Sequence, residues 1–162
     1  MTEPTTSSDA AADRVLVIER VFDAPRDLVF RLWTDPRHVR HWFGPRGFTT
    51  THLELDMRPG GRWRACMRED ATGTEHWLGG VCRELRPPEH LVFTNRWDRE
   101  DGTSGPETVV SVTLVDERGK TRMIFRQGVF DTVANRDGHE GGWSSSFDVL
   151  EEYLTTLSRG AA

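Results

Sequence analysis

From Trp143 to Leu157 the large apolar side chains Trp143, Phe147, Leu150, Leu154 and Leu157 recur three or four residues apart. This is the repeat of a helix and not of a strand. The stretch from Gly138 to Leu157 is therefore read as one long amphipathic helix. Most of the chain before it consists of short alternating runs separated by turn residues, and a helix with a broad apolar face needs a sheet to bury it. The expected class is α+β, and anything the chain binds is expected to lie between helix and sheet.

In chain order, residues 1–13 are Thr, Ser, Ala and acid with little to bury, and read as a mobile tail. The domain is expected over 14–158, with a second short tail over 159–162. Arg14 to Phe22 is rich in β-branched residues and ends at Asp23-Ala24-Pro25, where Asp23 is expected to cap a helix with Pro25 in its first turn. That helix runs to Trp33 and buries Leu28, Val29, Leu32 and Trp33. Asp35 before Pro36 caps a second short helix carrying Val39, Trp42 and Phe43, which Gly44-Pro45 ends. From Arg46 to about Phe130 there follow some six strands, with turns at Pro59-Gly60-Gly61, Pro87-Pro88, Asp101-Gly102 and Arg118-Gly119-Lys120. Within Arg62 to Arg68 one face reads Trp63, Ala65 and Met67, and the other Arg62, Arg64, Cys66 and Arg68. This is the alternation of a sheet wet on one side.

The bulk numbers remove several functions. A net charge of −5 attracts neither nucleic acid nor an anionic membrane, so neither is expected as a partner. No apolar run approaches the roughly 18 residues of a membrane span, and the first residues lack a basic start and an apolar core. A cytoplasmic location is expected. The two cysteines, Cys66 and Cys82, sit inside separate strands and read as free thiols.

Candidate chemistry is sparse. His38 and His41 lie three apart on a helix, but no neighbouring Cys or Glu completes a metal site, and no metal or cofactor is expected. Phosphate-cradling, metalloprotease and nucleophile-elbow patterns do not occur. Arg58, Arg62, Arg64 and Arg68 form either an anion patch or an ordinary wet strand face. Asp56, Glu75 and Glu84 show no pairing that would force acid–base work, and no catalytic residue is assigned. The aromatic balance says more: six tryptophans stand against one tyrosine, and they either close a core or line a cavity.

Arg20-x-Phe22-Asp-Ala-Pro25, Val29-Phe-Arg-Leu-Trp33-Thr-Asp-Pro36, Trp42-x-Gly44-Pro45, Asp56-Met-Arg-Pro-Gly-Gly61-Arg-Trp63, Gly80 to Thr94 and Gly142-Trp143 occur in this order. Together they resemble the family of activators of heat-shock-protein-90 ATPase, within the START-like (SRPBCC) superfamily. The resemblance covers about Arg14 to Leu157. It implies a helix-grip (START/Bet v-like) fold: a curved seven-stranded antiparallel sheet around a long C-terminal helix, two short helices after the first strand, and a cavity between sheet and helix.

On that frame the expected function is binding of a small, largely hydrophobic molecule. Trp42, Phe43, Trp63, Phe93, Phe125, Trp143 and Phe147 would supply contact area, and Gln127 and His139 would orient a polar end. Gly138, Gly142 and Ser146 fall four apart, a small-residue stripe expected to let the helix approach the sheet closely. The superfamily implies one alternative, an enzyme of cyclase or dehydratase type using His76, Glu84, Asp131 or His139 as a cavity acid or base. The family name implies another, a co-regulator of a chaperone ATPase, though a chaperone partner is not expected. A homodimer through an edge strand or the wet sheet face stays open.

Overall fold

A computed structural model describes residues 12–161, with side chains through residue 157. Most of the tail expected over 1–13 lies outside the described residues. Seven strands form one sheet: β1 (Leu16–Phe22), β2 (Phe48–Leu55), β3 (Arg62–Glu69), β4 (Glu75–Arg86), β5 (His90–Trp97), β6 (Thr108–Glu117) and β7 (Lys120–Gly128). Their order is β1-β7-β6-β5-β4-β3-β2, every neighbour antiparallel. Helices α1 (Arg26–Thr34) and α2 (Pro36–Val39) follow β1, and α3 (Val133–Ala161) follows β7. This is the helix-grip arrangement: the curved sheet carries α3 against its inner face.

Strand alternation builds the inner face. Leu16 and Phe22 of β1, Met123 and Phe125 of β7, Val110, Val112 and Leu114 of β6, and Leu91 and Phe93 of β5 are all buried. Leu150 and Leu154 of α3 meet this surface, with Leu157 partly buried beside them. Arg20 ties the helix to the edge strand: its guanidinium donates to Ser144 O at 3.0 Å and to Asp148 Oδ1 at 2.8 Å, and lies 5.8 Å from the Phe147 ring centre. Arg46 reaches α3 from the other side, pairing with Glu152, while its backbone N–H donates to Ser145 Oγ at 2.9 Å.

Several expectations are corrected in detail. Asp23 does not cap α1; the cap position is Pro25, with no side-chain bond, and the turn is held by backbone N–H groups of Leu28 and Val29 donating to Pro25 O. Asp35 does cap α2, accepting from Arg37 N–H at 2.9 Å. Cys66 is fully buried although it lies in the outer row; Trp77 and His52 pair with it across β4 and β2, and their rings meet 5.2 Å apart between centres. The thiols of Cys66 and Cys82 are free. Helix α3 starts at Val133, five residues before the expected Gly138, and Thr132 Oγ1 accepts from Asn135 N–H at 3.0 Å in a polar first turn. Its backbone continues to Ala161, past the expected domain end at 158.

Two glycines are dictated by close backbone approach. A Cβ on Gly61 would fall 2.0 Å from Asp56 O in the β2–β3 turn, and one on Gly80 would fall 1.9 Å from Thr94 O between β4 and β5. Gly80→Ala is expected to cost about 3 kcal/mol or more, read as a lower urea midpoint. Asp35→Ala is expected to lower the melting temperature by about 2–4 °C at neutral pH through loss of the cap. Hydrogen bonds from Arg37 hold the Asp35 carboxyl down to about 2, below its unfolded value of 3.8. The cap's contribution is therefore complete above that unfolded value and is lost as pH falls through about 2, so the gap between wild type and Asp35→Ala should close over that interval.

Candidate functional site

The N-terminal half of α3 passes over β3, β4 and β5 and borders a half-open cavity of about 320 Å³. Phe43, Gly44 and Pro45, after α2, and Phe48 of β2 form one side; Met67, His76, Leu78, Asn95 and Trp97 of β3 to β5 form the sheet side. The helix contributes Asn135, Gly138, His139, Gly142, Trp143 and Ser146, a stripe set by the helical repeat.

The glycines of that stripe do the opposite of what their size suggests. A Cβ on Gly138, Gly141 or Gly142 would meet nothing within 4 Å. No close approach of helix and sheet requires these glycines: Gly138 is exposed and Gly142 half-buried, and both border the open side of the hollow. Next to this column, Trp143 turns into the core. Its ring lies 4.7 Å from Phe125, 5.6 Å from Phe147 and 5.9 Å from Trp33 between centres, while one edge borders the cavity.

The polar groups around the cavity are mostly occupied by one another. Trp143 Nε1–H donates to Gln127 Oε1 at 2.8 Å, Gln127 Nε2–H donates to Thr108 Oγ1 at 2.9 Å, and Thr108 Oγ1–H donates to Asn95 O at 3.4 Å. Trp97 Nε1–H donates to His139 Nε2 at 3.0 Å, so the proton of this imidazole sits on Nδ1, which donates to Asn135 O at 2.9 Å. His76 Nε2 faces Glu69 Oε2 at 3.2 Å. Asn95 differs: it is 3% exposed, and its Oδ1 is buried without a partner among the described residues.

Of the nine residues expected at a binding site, Phe43, His139 and Trp143 line this cavity. Trp42, Trp63 and Phe93, with Phe43 again, border a separate void of about 30 Å³, too small and too apolar to hold more than a single water. Phe125, Gln127 and Phe147 are fully buried and line neither space. Phe125 and Phe147 pack into the aromatic stack, and Gln127 has both ends of its amide engaged by protein. His139, expected to orient a ligand, likewise has both ring nitrogens bonded within the protein. Phe48, Met67, Asn95 and Trp97 were not anticipated. Asn95 had a legible signal, as the one amide in the inward row Leu91, Phe93, Asn95, Trp97.

The other candidates lie elsewhere. Glu84 pairs with Arg86 at 2.9 Å, and Asp131 accepts from Asn135 Nδ2–H at 2.9 Å; neither lines the cavity. His38 Nδ1 is 2.7 Å from Tyr153 Oη, and His41 stacks on the same ring at 4.9 Å. No three potential metal ligands converge among the described residues. On the outer sheet face a groove of about 910 Å³ includes Arg62, Arg64, Arg96, Asp98 and Glu107. Its charges largely satisfy each other: Arg64 donates to Asp98 at 2.9 Å, which holds that carboxyl below its usual range, and Arg96 lies 3.4 Å from Glu107. The inner cavity has no Asp, Glu, Lys, Arg or Cys in its lining. Of the four expected acid–base candidates, His76 and His139 do line it, beside a mainly apolar wall with a few hydrogen-bonding groups.

A family model described as Activator of Hsp90 ATPase homolog 1-like protein matches residues 23–155. Among solved structures, the AHSA1 protein from Silicibacter pomeroyi is similar with a TM-score of 0.82 and 26% identity, over 88% of this chain and 99% of that one. A protein from Chromobacterium violaceum gives 0.75 and 27%, over 86% and 96%. A solution structure from Arthrobacter aurescens gives 0.80 at 23% identity, over 90% and 88%, and supports the fold alone. No curated protein matches. No helix among the described residues is long and apolar enough to cross a membrane.

Removing the Gln127 amide would leave the Trp143 N–H buried without an acceptor. Gln127→Met, close in volume, is expected to lower unfolding free energy by about 1–3 kcal/mol, measured by urea denaturation with tryptophan emission as the probe.

Proposed function

Because the chain belongs to the family of Activator of Hsp90 ATPase homolog 1-like proteins, we propose that it serves as a binding protein for one small, largely hydrophobic molecule, held in the cavity between sheet and α3. The observation that carries this reading is the glycine column. A glycine inside a helix costs about 1 kcal/mol relative to alanine. Gly138 and Gly142 have open space where a side chain would go, so packing does not require them. What they provide is volume, bordered by the apolar side chains of Phe43, Phe48, Met67, Leu78, Trp97 and Trp143.

The size fits a single ring or a short chain, at the lower end of known ligand pockets. Removing about 300 Å² of apolar ligand surface from water yields roughly 7 kcal/mol gross, and association takes back several, so affinity falls between millimolar and micromolar. A cavity of this size takes a small molecule and not a protein segment, so it does not bear on the ATPase activation in the family's name.

Three alanine variants and one larger substitution test the proposal. Gly138→Ala, Gly141→Ala and Gly142→Ala should each raise unfolding free energy by up to about 1 kcal/mol. Gly141 lies outside the cavity lining, so its variant should bind as wild type, whereas Gly142→Leu should fill the space and abolish binding without loss of fold. Binding is read by titrating single-ring and short-chain apolar compounds against tryptophan fluorescence and melting temperature. Failure of every compound to bind wild type, or unchanged binding by Gly142→Leu, would refute the reading.

A further inference from the structure

A buried amide in the cavity wall specifies more about the occupant. Asn95 lies in the inward row of β5 between Phe93 and Trp97, 97% removed from solvent by its 3% exposure, and it lines the cavity. Its backbone carbonyl accepts from Thr108, but its Oδ1 has no partner, and among the described residues no hydrogen bond to either end of the carboxamide is found. Larger polar side chains beside it are engaged: the Trp97 indole by His139, the Trp143 indole by Gln127, and Gln127 by Thr108; on the facing helix the Ser146 hydroxyl, like Asn95, has no partner among the described residues.

A buried amide without a partner is unfavourable, and a leucine of nearly the same shape would fill this position without that penalty. The rotation of the carboxamide is also unconstrained, since no protein group selects oxygen or nitrogen for the cavity side. The lining contains no Asp, Glu, Lys or Arg, and its His76 is already paired with Glu69, so an ionised ligand would lose hydration with no free counter-charge. An uncharged hydrogen-bonding group on an otherwise apolar molecule meets both conditions.

We infer that the occupant is a neutral, ring-sized apolar molecule bearing a hydroxyl or amide group, and that this group hydrogen-bonds the side-chain carboxamide of Asn95. The inference rests on the proposed role of the cavity as a ligand site. A hydroxyl both donates and accepts, so it suits either rotation of the amide. An apolar analogue displaces water from Asn95 and returns nothing for it.

The test compares p-cresol with p-xylene, which differ by a hydroxyl in place of a methyl, on wild type and on Asn95→Leu, by calorimetry and by amide chemical-shift titration. Wild type should bind p-cresol about tenfold or more tighter than p-xylene. Asn95→Leu should lose that preference, retain p-xylene binding, and melt no lower than wild type. Equal affinity of wild type for both compounds, or an undiminished cresol preference in Asn95→Leu, would overturn the role of Asn95 while leaving the cavity a ligand site. Binding of neither compound by wild type would overturn this inference, and failure of the whole single-ring and short-chain panel would remove the ligand site with it. The wild-type comparison decides the matter even if the variant fails to fold.

Discussion

The position of Trp143 governs how the rest of the molecule is partitioned. Its indole is fixed at two points, by the hydrogen bond to Gln127 and by the rings of Phe125, Phe147 and Trp33. On the C-terminal side of this contact, α3 is in ordinary close packing through Phe147, Leu150 and Leu154. On the N-terminal side the same helix carries Gly142 and Gly138, with no atom within 4 Å of where their side chains would begin, and reaches the sheet through His139 on Trp97. Core and cavity are two halves of one interface, and a single tryptophan separates them.

The polar relay behind that tryptophan explains how an indole can face a hollow and still be well anchored. Gln127, Thr108 and the Asn95 backbone carry the donor–acceptor chain across three adjacent strands, β7, β6 and β5. Buried amides so completely engaged fix geometry more than they add net stability. Gln127 therefore belongs to the support of the wall. Asn95, one step along the same chain, joins through its backbone alone, and its side chain remains available.

Much of the fold was legible in the sequence, because two periodicities and a set of turn signals suffice for it. Alternation placed Trp63, Ala65 and Met67 on the inner face, and the three-to-four spacing marked α3 from Trp143 onward. The misses have local causes. Asp23 was a plausible cap, but the turn closed on backbone bonds to Pro25 instead. Cys66 sits on the outer row and is buried beside Trp77 and His52, which are distant in sequence and reach it only through strand pairing. The site was less legible than the fold. Alternation tells which residues point inward, and it does not tell which inward residues meet a partner. Phe125 and Phe147 point inward and are stacked on; Trp97 and Met67 point inward and face open space.

The same limit applies to the glycines, and there the physical consequence is largest. In sequence, a small residue every fourth position on a helix reads equally as permission for close approach or as room for something else. Only the distance to the opposing surface separates the two, and here a Cβ at Gly138 or Gly142 meets no atom within 4 Å. A helix that needed only to be stable would carry alanine at such positions. The histidine between them sharpens the point. His139 has Trp97 on one nitrogen and Asn135 on the other, which braces the rim of the cavity and leaves no ring nitrogen to act on an occupant. His76, the other imidazole in the lining, faces Glu69, so the proposed selection of an occupant falls to the shape of an apolar wall and to the Asn95 carboxamide.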